Sequence, residues 1–243
     1  MHNKRVSTTI SVVILSLIAI AFLFPFAWMV ATSLKPTTEV FSLSPTGSRI
    51  AWDNYPSALN SIPFGRVVLN SFIVSLAGAA LVVVVSVLSA YAFARLRFKG
   101  RDHLFMLFLG TLVLPQEVLV IPLYIGMQRM GLVNSYFALI VPFAFGAFGA
   151  FLIRQFLMSL PLEFEEAARI DGCSDWKILT KILLPLLKAP ITVVGVFAFI
   201  DYWSAFLWPL IVVNDSSLAT IPLGLQMFSG ERGTDWGPLM AAV

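Results

Sequence analysis

The stretch Val67–Ala94 reads VVLNSFIVSLAGAALVVVVSVLSAYAFA and contains no Asp, Glu, Lys or Arg. A helix needs about 20 predominantly apolar residues to cross the hydrocarbon core of a bilayer, and this stretch is longer than that. It is followed at once by the basic segment Arg95–Arg101, which reads RLRFKGR. An uncharged run that ends at a basic cluster predicts a membrane-spanning helix whose last turn meets the cytoplasmic surface.

Other apolar segments of comparable length lie on both sides of this stretch. The further predicted spans are Ile10–Thr32, Leu104–Ile125, Tyr136–Ile153 and Ala189–Val213, and a sixth begins at Trp236. Of the 243 residues, 58% are hydrophobic and only 12% are charged. Since a soluble domain carries roughly 25% charged residues, this composition predicts an all-α polytopic membrane protein.

The two ends of the chain bear on its domain organisation. The first span is too long for a cleaved signal peptide, and Pro25, Phe26 and Trp28 occupy the region where a small-residue cleavage site would lie. We therefore interpret it as a retained helix. Because no linker or low-complexity segment divides the sequence, residues 1–243 are expected to form a single transmembrane domain. The chain stops soon after the sixth span begins, so we expect that span to be truncated.

The positions of the basic residues predict the orientation of the spans. With the N-terminus in the cytoplasm, eleven of the 16 Lys and Arg residues fall inside and five fall outside. Such an excess of cytoplasmic cations is typical of membrane proteins. The inside set is Lys4, Arg5, Arg95, Arg97, Lys99, Arg101, Arg154, Arg169, Lys177, Lys181 and Lys188, and the outside set is Lys35, Arg49, Arg66, Arg129 and Arg232.

Several classes of site are disfavoured by composition and motif. The single Cys173 excludes an internal disulfide, and the two histidines, His2 and His103, do not supply a metal cage. The nearest approach to a phosphate-binding loop, Gly126–Gly131, is followed by Leu132 and Val133 instead of Lys and Ser or Thr. We therefore expect no catalytic residue, no metal and no cofactor. A net charge of +3 gives no reason to expect binding to nucleic acid.

The longest predicted cytoplasmic loop, residues 154–188, differs from the apolar sequence around it. Its three glutamates, at Glu163, Glu165 and Glu166, suit the positive end of a short helix. Gly172 is placed to end that helix in a left-handed conformation, and Ser174 to cap a second helix. The loop is therefore predicted to form a helix, a glycine turn and a further helix that leads into the next span.

One face of the first helix combines an aromatic residue with two small ones. Phe164, Ala167 and Ala168 are spaced by three and four residues, so they are expected to share a face that another protein can approach closely. The alternative is an amphipathic loop that lies on the membrane surface. From the pattern alone, both interpretations stay open.

The loop resembles the signature sequence of permease subunits of binding-protein-dependent ABC importers. Glu166-Ala167-Ala168 is followed after three residues by Gly172, and after nine more by Ile182-Leu183-Leu184-Pro185. Other stretches resemble the sugar-permease branch of that family, the maltose and glycerol-phosphate type. These stretches are Pro25–Trp28, Ser33–Pro36, Asn70-Ser71, Ala90–Arg95, Phe206–Leu210 and Gly233–Gly237.

The resemblance implies a six-span subunit of a prokaryotic inner membrane, surrounded by lipid. Its loop would insert a coupling helix into an ATP-binding cassette subunit, which hydrolyses ATP in its place. The other implied partners are a second permease subunit, expected to be a different chain, and an extracytoplasmic solute-binding protein. The implied cargo is a sugar or sugar derivative. The residues implied in coupling are Phe164, Glu166, Ala167, Ala168, Asp171 and Gly172.

The predicted fifth span contains candidate residues for the translocation path. Asp201 is the one acid well inside a span, and an ionisable residue in lipid usually marks a cavity or a paired charge. Its neighbours Tyr202, Trp203, Ser204 and Phe206 would give an aromatic and polar lining suited to sugar rings. The alternative is that the aromatic residues pack on other helices or mark the membrane interface. Sugar permeases often have Trp-Asn where this chain has Trp203-Ser204. The resemblance therefore does not imply a side-chain amide that contacts cargo at position 204.

A stand-alone secondary transporter is the alternative function. Such a protein is expected to place several charges in the membrane for ion coupling, whereas Asp201 is essentially alone here. Glu117, at the outer end of the third span, is interpreted as a solvated loop acid. A series of small residues along the second span is interpreted as a helix-packing face. That series is Ser75, Ala79, Ser86, Ala90 and Ala94.

Overall fold

The computed structural model describes residues 2–44, 46–230 and 233–243, with side chains described from residue 10 onward and not at 230 and 233. Arg232, one of the basic residues predicted to lie outside, falls outside the described residues. The chain divides into two compact units, one of residues 1–65 and 224–243 and one of residues 66–223.

The described residues are mostly helical. In chain order, the helices as far as residue 178 are α1 (His2–Ser33), α2 (Asn54–Ser61), α3 (Phe64–Arg95), α4 (Arg101–Gly110), α5 (Gln116–Arg129), α6 (Tyr136–Ile140), α7 (Ala147–Ser159), α8 (Glu163–Ile170) and α9 (Asp175–Ile178). A π-helical segment, Leu179–Leu183, follows α9. The later helices are α10 (Leu184–Leu186), α11 (Lys188–Ser204), α12 (Leu207–Val212), α13 (Ile221–Gln226) and α14 (Trp236–Ala242).

Short elements complete the described structure. Single 3-10 turns occupy Thr37–Glu39, Thr111–Val113 and Ser216–Leu218. Two strands of two residues each, β1 (Ser229–Gly230) and β2 (Gly233–Thr234), pair in antiparallel fashion.

Two of the described helices are long and apolar enough to cross a bilayer singly, α1 through its segment Ile10–Ser33 and α3. Three further candidates consist of two helical pieces joined at a sharp bend, so the number of spans rises to five if each bent pair counts as one. The bend is 102° between Arg101–Val113 and Gln116–Arg129, and 81° between Asp175–Leu186 and Lys188–Ser204. The third, between α7 and α8, is 78°. Which residues lie in lipid stays a prediction.

Three segments predicted as spans are not continuous helices. Leu104–Ile125 is broken at Leu114 and Pro115, both extended, because a residue that precedes proline is sterically disfavoured in the helical region. Tyr136–Ile153 is broken after α6, and the chain is extended at Gly146 before α7 begins. Ala189–Val213 is broken at Ala205, which is also extended. The apolar pattern predicted these regions but not their breaks.

The small residues of α3 form a packing face, as the sequence predicted. Ser75, Ala79, Ser86 and Ala90 are buried, and Ala94 is half-buried. Gly149 on α7 meets this face so closely that an added methyl group would lie 2.9 Å from Ser86 Cβ. Small side chains at membrane-helix contacts let backbones approach closely, and this is what α3 and α7 do.

The unit of residues 1–65 and 224–243 is organised around Asn54, at the start of α2. Its side-chain amide donates hydrogen bonds to the carbonyls of Ser33 (2.7 Å) and Lys35 (2.9 Å). Lys35 is itself fully buried, where its ammonium group donates to Ser42 O at 3.0 Å and lies 4.6 Å from the Trp28 ring centroid. These contacts tie the end of α1 to the segment that follows it.

Candidate functional site

The α8–α9 hairpin, residues 163–178, has the helix, turn and helix that the sequence predicted. Gly172 has φ of +79°, in the left-handed region that favours glycine, and it separates α8 from α9. The Ser174 hydroxyl accepts a hydrogen bond from the backbone N–H of Lys177 and so caps α9. Across the turn, Arg169 donates to Asp175 at 3.1 Å, and this bond raises the pKa of the Arg169 guanidinium.

The two faces of α8 differ from the sequence prediction at one position. Ala168 was grouped with Phe164 and Ala167 on an outward face, but it is 6% exposed and belongs to the core. Phe164 and Ala167 are exposed, as the prediction required. Glu165 and Ala168 are three residues apart and share a face of α8, and that face is turned inward because Glu165 pairs with Arg95 and Ala168 packs in the core.

The exposed face of the hairpin is apolar at its tip. Ile170 is 87% exposed, Trp176 is 65% exposed and Phe164 is 55% exposed. Glu166, Asp171 and Gly172 are also exposed. The predicted coupling residues other than Ala168 therefore lie on the surface of this chain.

The inner face of the hairpin rests on one hydrophobic core. Ala168 on α8 and Ile178 on α9 are packed in the same cluster as Tyr91 on α3 and Leu157 on α7. The cluster continues through the π-helical segment, where Leu183 is 1% exposed, into α11. The hairpin is thus joined by side-chain packing to the helices that precede and follow it.

A buried ion pair, which the sequence reading missed, also holds the hairpin. Arg95, the last residue of α3, pairs through Nε with the carboxylate of Glu165 on α8, and the two side chains are 7% and 1% exposed. Arg95 Nη2 donates to the carbonyl of Leu157 at 2.8 Å and, at 3.4 Å, to that of Leu160. The sequence placed Glu165 with two neighbouring acids near a helix start, so no local signal distinguished the buried one.

Arg154 makes a second set of contacts near the C-terminal end of α3. Arg154 on α7 donates through Nε to Phe93 O at 3.2 Å and lies 3.6 Å from the Asp102 carboxylate. Its guanidinium carbon is 4.1 Å from the centroid of the Phe105 ring, a cation–π distance. The ends of α3, α4 and α7 are therefore held together by arginine side chains.

A cavity of about 390 Å³ lies in the unit of residues 66–223, and none of its described lining residues belongs to the hairpin. Four of the five predicted path residues line it, namely Asp201, Tyr202, Ser204 and Phe206. The fifth, Trp203, is not among its described lining residues: its ring packs between those of Phe72 and Phe199, with centroids at 4.9 and 5.5 Å.

The cavity also contains residues that the sequence did not assign to it. Glu117, interpreted as a solvated loop acid, is exposed as expected, but it lies on α5 instead of a loop and lines the cavity beside Gln116. The chain is extended at Leu114 and Pro115, so α5 begins at Gln116, next to Glu117. Phe143 and Trp208 contribute aromatic surface, and the Trp208 indole donates to Ala138 O at 2.8 Å.

The charge of the cavity is negative. Asp201 and Glu117 supply two carboxylates, and no Lys or Arg is among the described residues that line it. Apolar and aromatic groups with a few polar side chains are the usual lining of a small-molecule site. Among the residues described, no group of three or more His, Cys, Asp or Glu is arranged to hold a metal ion.

Comparison with protein families gives one match that covers most of the chain. The family described as binding-protein-dependent transport system inner membrane component matches residues 83–242, which include the hairpin and the cavity residues from Leu112 onward.

Individual relatives match over nearly the whole length. The sn-glycerol-3-phosphate transport system permease protein UgpE of Pectobacterium atrosepticum is 37% identical, over 100% of this chain and 90% of its own. The lactose transport system permease protein LacG of Rhizobium radiobacter is 31% identical, over 98% of this chain and 87% of its own.

A solved structure has the same fold. A chain from the crystal structure of a bacterial ABC transporter involved in the import of the acidic polysaccharide alginate superposes with a TM-score of 0.84. The match covers 100% of this chain and 91% of that one at 21% sequence identity, so it shows the fold alone.

Proposed function

The chain belongs to the family of binding-protein-dependent transport system inner membrane components, and we propose that it is the membrane-spanning subunit of an ATP-driven importer. In this proposal it forms part of a solute path and couples that path to a separate ATPase through the α8–α9 hairpin. The observation that carries the proposal is the hairpin itself, whose inner face is built into the core while its outer face is exposed.

The outer face of the hairpin suits a protein partner. Phe164, Ile170 and Trp176 expose apolar surface beside the carboxylates of Glu166 and Asp171. Aromatic residues are enriched in the centres of protein interfaces, and acids at the rim can pair with a cationic partner. Gly172 and Ala167 keep the tip of the hairpin thin, so a cleft can admit it. The proposed partner is an ATP-binding cassette subunit, on which ATP hydrolysis takes place.

The proposed location is the inner membrane of a prokaryotic cell, with the N-terminus and the hairpin in the cytoplasm. The positive cluster at Arg95–Arg101 supports that orientation, because cytoplasmic loops are enriched in cations. The remaining proposed partners are a second, different permease subunit that completes the path and an extracytoplasmic solute-binding protein that delivers the cargo.

The proposed cargo is a sugar or sugar derivative. The relatives named above are permeases of transport systems for sn-glycerol-3-phosphate and lactose. A cavity of about 390 Å³ is within the size range of small-ligand sites, roughly 300–1,000 Å³. Its aromatic rings suit the apolar faces of sugars, and Gln116, Ser204 and the two carboxylates suit hydroxyl groups. Because Asp201 and Glu117 repel anions, the cavity favours an uncharged sugar over a phosphorylated one.

A stand-alone secondary transporter is the second candidate. The observation in its favour is that Glu117 joins Asp201 in the cavity, since two carboxylates in a membrane cavity can bind a coupling cation. Against it stands the exposed hairpin, which a transporter driven by an ion gradient does not need.

Affinity purification of the full-length subunit from its native membrane, in mild detergent, tests the proposal. We expect an ATP-binding cassette subunit, a second permease and a solute-binding protein to co-purify, and the ligand of the binding protein to identify the cargo. In proteoliposomes, that complex should take up cargo when ATP is supplied to the ATPase side and an ionophore has removed ion gradients. Recovery of the subunit alone, with uptake that the ionophore abolishes, would establish the secondary transporter.

A further inference from the structure

Arg95 joins three helices at the point where the α8–α9 hairpin meets the rest of the protein. It is the last residue of α3, it pairs with Glu165 on α8, and it donates to Leu157 O at the end of α7. Its side chain is 7% exposed and that of Glu165 is 1% exposed. One guanidinium group therefore fixes the distance and the orientation of α8 relative to both α3 and α7.

Stability alone does not explain a buried pair of this kind. Removing two charges from water costs several kcal/mol per ion, and a buried ion pair is often no more stabilising than apolar residues of the same size. The pair does, however, constrain the orientation of α8 relative to α3 and α7. The planar guanidinium of Arg95 uses Nε for Glu165 and Nη2 for Leu157, so the carboxylate and the carbonyl are held at fixed angles.

Other contacts also connect the hairpin to the protein or stabilise it internally. Beneath the pair, Ala168 and Ile178 of the hairpin pack in one core cluster with Tyr91 and Leu157. The other ion pair of the hairpin, Arg169–Asp175, connects only its own two helices and is about half exposed. Arg95 is thus the described cation that links the hairpin to α3 through a buried carboxylate.

We propose that Arg95 is a positioning residue for coupling, which makes α8 and the ends of α3 and α7 move as one rigid body. A displacement imposed on the exposed face of α8 is then transmitted to α3, whose small-residue face packs against α7 in the same unit. Without the pair, the apolar core still holds the hairpin in place, but its orientation relative to α3 is no longer fixed. This inference rests on the proposed function, because it assumes that the hairpin receives the movement of an ATPase.

The test uses the complete transporter in proteoliposomes and measures cargo uptake per ATP hydrolysed. In the double variant Arg95→Met with Glu165→Met, both charges are removed, so no unpaired ion is left buried. We expect the complex to assemble and hydrolyse ATP, and the uptake per ATP to fall about fivefold or more, the size of a typical coupling between sites. The matched control is Arg49→Met with Asp53→Met, an exposed ion pair, which should leave the ratio unchanged.

Each outcome decides the proposal. A wild-type ratio in the assembled double variant would overturn it and leave the pair a merely structural contact. If the double variant does not assemble, Arg95→Lys is measured instead, because it keeps the positive charge and loses the fork that holds two acceptors. A lowered ratio in that variant supports the proposal, and a wild-type ratio overturns it. Absence of ATP-dependent uptake in the wild-type complex would instead contradict the proposed function.

Discussion

The α8–α9 hairpin and the cavity at α11 and α12 are opposite kinds of structure in the same unit. The hairpin has a closed inner face, with a shared hydrophobic core and the buried Arg95–Glu165 pair, and one exposed outer face. The cavity is lined in part by residues at breaks between helices, and its polar residues Asp201 and Ser204 are exposed. Under the proposed function, the hairpin would transmit the movement of an ATPase, whereas the cavity would need a second subunit to enclose cargo.

The largest expected effect comes from breaking the turn of the hairpin. Gly172→Val places a β-branched residue at φ of +79°, which costs about 1–3 kcal/mol of backbone strain and displaces α8 relative to α9. We expect ATP-driven uptake to be lost while the subunit remains in the membrane, measured as uptake in vesicles with immunoblotting.

Gly100→Val is the matched control for that variant. Gly100 has the same φ of +79° and also has open space around its Cα, but it lies outside the hairpin, before α4. Uptake should be largely kept in this variant. Equal loss of uptake in both variants would mean that general backbone strain, and not the shape of the hairpin, is responsible.

The two alanines of the hairpin separate its inner face from its outer face. Ala168→Leu inserts bulk into the core and should lower the stability of the purified subunit by roughly 1–3 kcal/mol. Ala167→Leu adds the same side chain on the exposed face, so the thermal unfolding temperature should hardly change while stimulation of ATPase activity by cargo falls. If the two variants behave alike in both assays, the assignment of the two faces is wrong.

Some features of the hairpin follow from its local sequence, and others do not. Local rules were sufficient for the hairpin, because the acids of α8, Gly172 and the Ser174 cap act within a few residues of the chain. The partner of Glu165 lies 70 residues away, so neither spacing nor propensity identifies it. Nor did the sequence predict the inward position of Ala168, which depends on packing against distant residues such as Tyr91 and Leu157.

The cavity was predicted less completely, because its lining also depends on residues that are distant in sequence. Apolar composition identified the membrane helices, and Asp201 was noticed because an acid is unusual in such a segment. The lining, however, depends on breaks at Pro115 and Ala205 that bring α5 and α11 to one space. Hence the sequence did not predict that Glu117 lines the cavity from the start of α5, or that Trp203 is not among the described lining residues.

The charge of the cavity predicts a smaller effect, on selectivity. A unit charge 4 Å away contributes about 1 kcal/mol in water. Removing one carboxylate should therefore make a phosphorylated sugar a stronger competitive inhibitor of cargo uptake, by about fivefold in inhibition constant. Asp201→Asn and Glu117→Gln are the variants, and inhibition of the uptake of an uncharged sugar is the measurement. Trp203→Phe, outside the described lining, is the control and should not alter this selectivity.

The smallest effect is expected for the exposed ion pair of the hairpin. Arg169 and Asp175 are about half exposed, and such surface pairs contribute roughly 0–1 kcal/mol. The hydrogen bond to Asp175 raises the pKa of Arg169, so the charge of the guanidinium would be lost only above the ordinary range of arginine. Arg169→Gln should therefore reduce uptake only slightly and leave its pH profile between about pH 5 and 9 unchanged, since arginine stays protonated there. A large loss would show that this pair also fixes the hairpin.

The most direct test of the central claim is photo-cross-linking from the exposed face of the hairpin in native membranes. p-Benzoyl-phenylalanine in place of Phe164, which is 55% exposed, should give an adduct that mass spectrometry identifies as an ATP-binding cassette subunit. The same group in place of Leu43, 91% exposed and on the side predicted to be extracytoplasmic, should give no such adduct. Cross-links from position 164 to lipid alone would contradict the assignment of the hairpin as the coupling element.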